Sequence, residues 1–72
     1  MNFYYMNNNQ QPNGDFEVHQ FNCLHGARQE NRLNLGYFNN GVAAVAAAKQ
    51  KYPHVANRIN GCYYCSSESN TD

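Results

Sequence analysis

The stretch RLNLGYFNNGVAAVAAAKQKY, Arg32 to Tyr52, decides the fold. Its first third alternates, with Leu33, Leu35 and Tyr37 on one side of an extended chain, the period of a β-strand. Gly36, on the opposite side, points to a bulge or to something packed closely above it. The remainder is rich in alanine, which loses little entropy in a helix. Asn39 or Asn40 suits the N-cap, because its side-chain oxygen can accept from a free amide of the first turn. A helix is therefore predicted over roughly 41–52, with Val42, Val45, Lys49 and Tyr52 on one stripe and Ala46 beside it. Lys49 and Lys51 complement the negative end of the helix dipole, and Pro53 stops the helix.

Upstream, Tyr4 to Met6 and Phe16 to His19 read as two further strands. They flank a polar loop at 7–15, where Pro12 and Asn13-Gly14 signal turns. Residues 22–31 read as a connection. Downstream, residues 54–60 read as loop or a short extended piece. Asn60-Gly61 turns the chain into Cys62-Tyr63-Tyr64-Cys65, and 66–72 is a polar tail expected to fray. The fold class is α+β: a three-stranded, mainly antiparallel sheet, one helix packed on it, and a C-terminal Cys-x2-Cys turn. All 72 residues form a single small domain. Phe16, Phe21, Tyr37, Phe38 and Tyr52 are the expected aromatic core, and Tyr63 and Tyr64 lie near the surface of their turn.

Composition sets the energetic problem. Leu, Ile and Val total 8 and Phe adds 4, against 13 Asn and 5 Gln. A core this thin in so short a chain rarely supplies more than ~3–5 kcal/mol. A bound metal, a disulfide or a partner subunit is the usual remedy. The longest apolar run is the seven residues Val42 to Ala48, far short of the about 20 that span a bilayer. Met1 to Met6 has no basic segment followed by an apolar one, so no secretory signal is read there, and a cytoplasmic location is expected. Five basic residues balance five acidic ones. Nucleic-acid binding is therefore disfavoured without being excluded, since scattered cations can converge in space.

The chemistry sits in the cysteines. Their number, three, would leave one thiol over in a disulfide framework. His19-x3-Cys23 and Cys62-x2-Cys65 together make a Cys3His set, a standard tetrahedral zinc site. Two thiolates in a tight turn can share one ion, and Gly61 is expected to allow a backbone conformation that a Cβ resists. Zinc held this way contributes ~10–16 kcal/mol of apparent binding energy coupled to folding. Other histidines compete for the fourth position: His25, next but one to Cys23, and His54, eight residues before Cys62. The alternative without metal makes Cys23 a small buried hydrophobe and Cys62/Cys65 a free or oxidised dithiol.

The order of these features resembles the metal-binding domain of the bacterial Ada DNA-repair protein. The pieces that carry the likeness are His19-x3-Cys23, Asn34 to Phe38, Ala43 to Lys49 and Gly61-Cys62-x2-Cys65. The Ada domain accepts a methyl group on a zinc-bound cysteine of its first pair. Here the corresponding residue is His19, so the resemblance implies the scaffold without methyl acceptance. The chain also resembles a group of short uncharacterised bacterial proteins in Asn13-Gly14-Asp15-x-Glu17-Val18-His19, Leu35-Gly36-x-Phe38, Ala44-Val45-x-x-Ala48-Lys49 and Gly61-Cys62-Tyr63-Tyr64-Cys65. Members of that group often carry a further Cys near Gly41 and a Cys-His near Ser69-Asn70, which this chain lacks.

Three function classes follow. The first is a small zinc-stabilised binding or structural module without catalytic activity, with a protein as the expected partner. The second is a nucleic-acid-associated accessory domain of the Ada-like type. The third is a metal-free domain stabilised by dimerisation through a strand edge or a tyrosine-rich surface. A monomer or weak homodimer is expected. Nothing places an activated thiolate opposite a substrate pocket, and the motif lacks the βαβ setting of thioredoxin-like dithiols.

Overall fold

The computed structural model describes residues 1–71. Four strands form one mixed sheet in the order β3-β1-β2-β4. They are β1 (Asn2–Asn7), β2 (Phe16–Gln20), β3 (Arg32–Phe38) and β4 (Ile59–Gly61). A single α-helix, α1 (Gly41–Lys51), covers one face, and 3-10 turns fall at Gln29–Asn31, Pro53–Arg58 and Ser67–Ser69.

The expected three-stranded sheet is thus corrected to four strands. The three strands read from the sequence form an antiparallel set, with β1 in the middle. The fourth strand, β4, pairs in parallel with β2, in the register Phe16↔Ile59, Glu17↔Asn60 and Val18↔Gly61. It is only three residues long, too short for alternation to show in a sequence. It lies instead in the segment read as loop or a short extended piece.

The core lies between sheet and helix. Tyr4, Met6 and Val18 from the strands meet Ala44, Val45 and Ala48 from α1 and Ile59 from β4. Phe16, Leu33, Leu35, Phe38, Tyr52 and Val55 pack around them. The helix buries its Ala44, Val45 and Ala48 edge, whereas Val42 is 52% exposed and Lys49 and Ala46 face solvent. The stripe expected from the valines is rotated, because alanines let the backbone of α1 lie closer to the sheet. Asn40 caps the helix through its Oδ1, which accepts from the Ala43 amide at 2.9 Å. Glu68 adds a second cap by accepting from the Gly41 amide at 2.9 Å.

Gly36 resolves as a bulge. The β1–β3 register steps from Tyr4↔Gly36 to Tyr5↔Asn34, so Leu35 is the extra residue. Gly36 has φ +114°, and nothing lies within 4 Å of where its Cβ would be. It is therefore glycine for its backbone angle, not for close packing. The extra residue inverts the alternation beyond it. Tyr37 then points away from the core, opposite Phe3, and not with Leu33 as the sequence period implied.

The stretch read as a frayed tail is tied down as far as Thr71. Asn70 donates to the Gly61 carbonyl at 2.8 Å, and the Thr71 amide donates to Asn60 Oδ1 at 3.0 Å. Asp72 lies outside the described residues.

Candidate metal centre

Parallel pairing of β2 and β4 sends both strands out of the sheet at the same end. His19-x3-Cys23 leaves β2 there, and Cys62-x2-Cys65 leaves β4 there. The Cys62 amide still donates to the Val18 carbonyl at 2.9 Å, extending the pairing to the first cysteine of the turn.

One donor atom each from His19, Cys23, Cys62 and Cys65 fall within 4.8 Å of one another. Cys23 Sγ lies 3.9 Å from Cys62 Sγ, and His19 Nδ1 lies 3.9 Å from Cys65 Sγ. Ligands about 2.3 Å from a tetrahedral ion are separated by about 3.8 Å. The cluster therefore has nearly the dimensions of a filled site. The sulfurs of Cys23 and Cys62 are too far apart for a disulfide, which needs about 2.05 Å, and all three thiols are free.

His19 is fully buried. Burial, with Arg32 and His25 nearby, lowers its pKa to about 4, so the imidazole is neutral at pH 7, as a metal ligand must be. Its Nδ1 faces the thiols. Its Nε2 is buried without a hydrogen bond, 3.6 Å from Glu17 Oε1. A carboxylate behind the outer nitrogen favours the tautomer that leaves Nδ1 with its lone pair toward the thiols. Tyr5 packs on the imidazole, with ring centroids 5.4 Å apart. Its hydroxyl accepts from the Ala27 amide at 2.9 Å, which anchors the loop that carries Cys23.

Backbone amides address the sulfurs. Those of Tyr64 and Cys65 hydrogen-bond to the Cys62 thiol, and the Gln20 amide donates to Cys65 Sγ at 3.3 Å. Such donors favour a thiolate. Burial acts the other way and dominates, pushing the Cys62 thiol up and the Cys65 thiol up to about 12. A cation in the cluster would reverse that balance, since a coordinating thiol is deprotonated outright. The half-buried Cys23 and Cys65 line an open depression with His25 and Tyr64, which gives an ion a way in.

The other two histidines stay outside. His25 is exposed and stacks on Tyr64, with centroids 3.9 Å apart. His54 is exposed on the Pro53–Arg58 turn. Among the described residues, the only ligand group of this kind contains neither. Sequence reasoning missed Glu17 and Gln20. Glu17-x-His19 within one strand puts both side chains on one face, a signal that was there to be read. The amide of Gln20 had none.

Gly61 differs from its expected role. Positive φ among the glycines belongs to Gly14 and Gly36 alone. A Cβ on Gly61 would instead come within 2.8 Å of the Ser66 carbonyl oxygen and would strike the Ser69 side chain. Glycine is needed there for space under the cysteine turn.

Compared with protein-family models, curated proteins and solved structures, the chain matches none of them.

Proposed function

We propose that this protein is a small zinc-stabilised binding module, with zinc held by His19, Cys23, Cys62 and Cys65 in a structural and not a catalytic role. The observation that carries the reading is the convergence of four donors within 4.8 Å. Three sulfurs and one imidazole favour zinc over harder ions that prefer oxygen. Four protein ligands also close the coordination sphere, leaving no position for a reacting water or substrate. A reducing compartment such as the cytoplasm, where three thiols persist, fits this reading.

Cobalt(II) titration tests the ligand set. The expected result is the intense visible absorption of a tetrahedral, thiolate-rich site, saturating at one equivalent and displaced by zinc. Cys23→Ser, Cys62→Ser and Cys65→Ser should each weaken binding and reduce the thiolate-to-metal charge-transfer band. A folded protein that develops no such spectrum contradicts the reading.

A further inference from the structure

The sheet face away from α1 is only half covered. Its rows run across β3, β1 and β2. One row is Asn34, Tyr5 and His19, which the loop before Gln29 and the Arg32 side chain shelter. The next is Tyr37, Phe3 and Phe21, where the Phe21 amide donates to the Phe3 carbonyl. This second row is open: Tyr37 is 68% exposed and Phe21 60%. The three rings stand edge to face, with centroids 5.2 Å and 6.2 Å apart. With Gln29, Arg32 and Asn34 they line a cavity of about 530 Å³, within the usual range for small-ligand sites.

The lining contains no aliphatic side chain. It offers aromatic faces, two carboxamides and a guanidinium. Aromatic rings stack on bases of any sequence, and carboxamides can pair with base edges. Charge fits as well. Arg32 lines the cavity, Lys51 Nζ lies 3.3 Å from the carbonyl of Asn34 at its edge, and Arg28 directly precedes Gln29. Glu30 is the one acid in that segment, while Asp15, Glu17 and Glu68 belong to the β2–β4 side. The zero net charge thus conceals a locally positive rim.

We propose that the Tyr37-Phe3-Phe21 row binds single-stranded nucleic acid, stacking unpaired bases while Arg32, Lys51 and Arg28 meet the phosphates. The row contains no member of the metal cluster, so this inference and the zinc reading fail separately.

The test is fluorescence anisotropy of labelled twelve-nucleotide oligo(dT) and oligo(U) with the full chain, its metal content measured in parallel. At about 50 mM salt, saturable binding is expected, weakening about fourfold when the salt is doubled if three cations meet phosphates. Tyr37→Ala and Phe21→Ala should each weaken binding about five- to hundredfold, while Tyr37→Phe should keep it. A duplex of the same length should bind at least about tenfold more weakly, because its bases are not free to stack. Tyr37 stands on β3, two strands from His19, so its effect would not pass through the metal cluster. No binding by the folded protein at low salt overturns the proposal. Equal binding by the alanine variants does so too, as does a homodimer in sedimentation that Tyr37→Ala dissolves.

Discussion

His19 is the residue on which the site turns. It is fully buried on a strand, aims one nitrogen at Cys65 and has Glu17 behind the other. If Glu17 orients the ring, Glu17→Gln should leave the fold intact and lower zinc affinity about ten- to hundredfold. Competition against a chromophoric chelator measures this, and unchanged affinity would deny Glu17 the role. The depressed pKa of His19 also fixes a pH dependence. The unfolded chain takes up the proton near 6.5, whereas the folded chain resists it down to about 4. Between those values the unfolded state binds more protons, so stability is full above about 6.5 and is lost as pH falls toward 4. Competition between protons and metal for the same nitrogen and sulfurs acts in the same direction. Urea midpoints measured from pH 7 to pH 4 should fall steadily, and a flat series would count against a neutral buried His19. Cys23, Cys62 and Cys65 were legible in the sequence as candidate donors, because the spacing within each pair is local. The choice among His19, His25 and His54 was not, since it depends on which strand end faces the cysteine turn.

At the scale of elements, the site exists because β4 runs parallel to β2. Antiparallel pairing would have carried Cys62 and Cys65 to the opposite end of the sheet. That strand was hidden by its length, and its partner is some forty residues away in sequence, beyond what local pattern reports. The helix, by contrast, was legible to within a residue, because alanine content, an asparagine cap and Pro53 are all local signals. Its buried edge was legible only in part: Val45 and Tyr52 meet the core, but Ala44 and Ala48 join them there in place of Val42 and Lys49. The bulge at Gly36 was legible as a bulge, but its effect on Tyr37 was not. Two glycine substitutions separate the causes. Gly36→Ala meets open space but keeps an unfavourable backbone angle, so it should cost about 1–3 kcal/mol. Gly61→Ala meets the Ser66 carbonyl under the cysteine turn and should weaken metal binding as well as stability. Denaturant unfolding with parallel zinc titration checks both. If Gly36→Ala also impaired zinc binding, the assignment of separate roles would be wrong.

At the scale of the whole molecule, the difficulty is the thin core. Seven buried residues, two of them alanine, fill the space between helix and sheet. Aromatic side chains that could have enlarged it, Phe21 and Tyr37, stand on the other face. The His19-Cys23-Cys62-Cys65 cluster sits where the ends of β2 and β4 meet, and through Ser66 and Glu68 it reaches the start of α1. A metal there would stabilise a chain that its apolar contacts alone hold weakly. Native mass spectrometry, with and without a chelator, tests this most directly. The account predicts one zinc per chain in a narrow, low charge-state envelope, and after chelation a metal-free chain with the broad, high charge states of an unfolded protein. A chain that carries no metal after expression with ample zinc, yet keeps the narrow envelope, would contradict it.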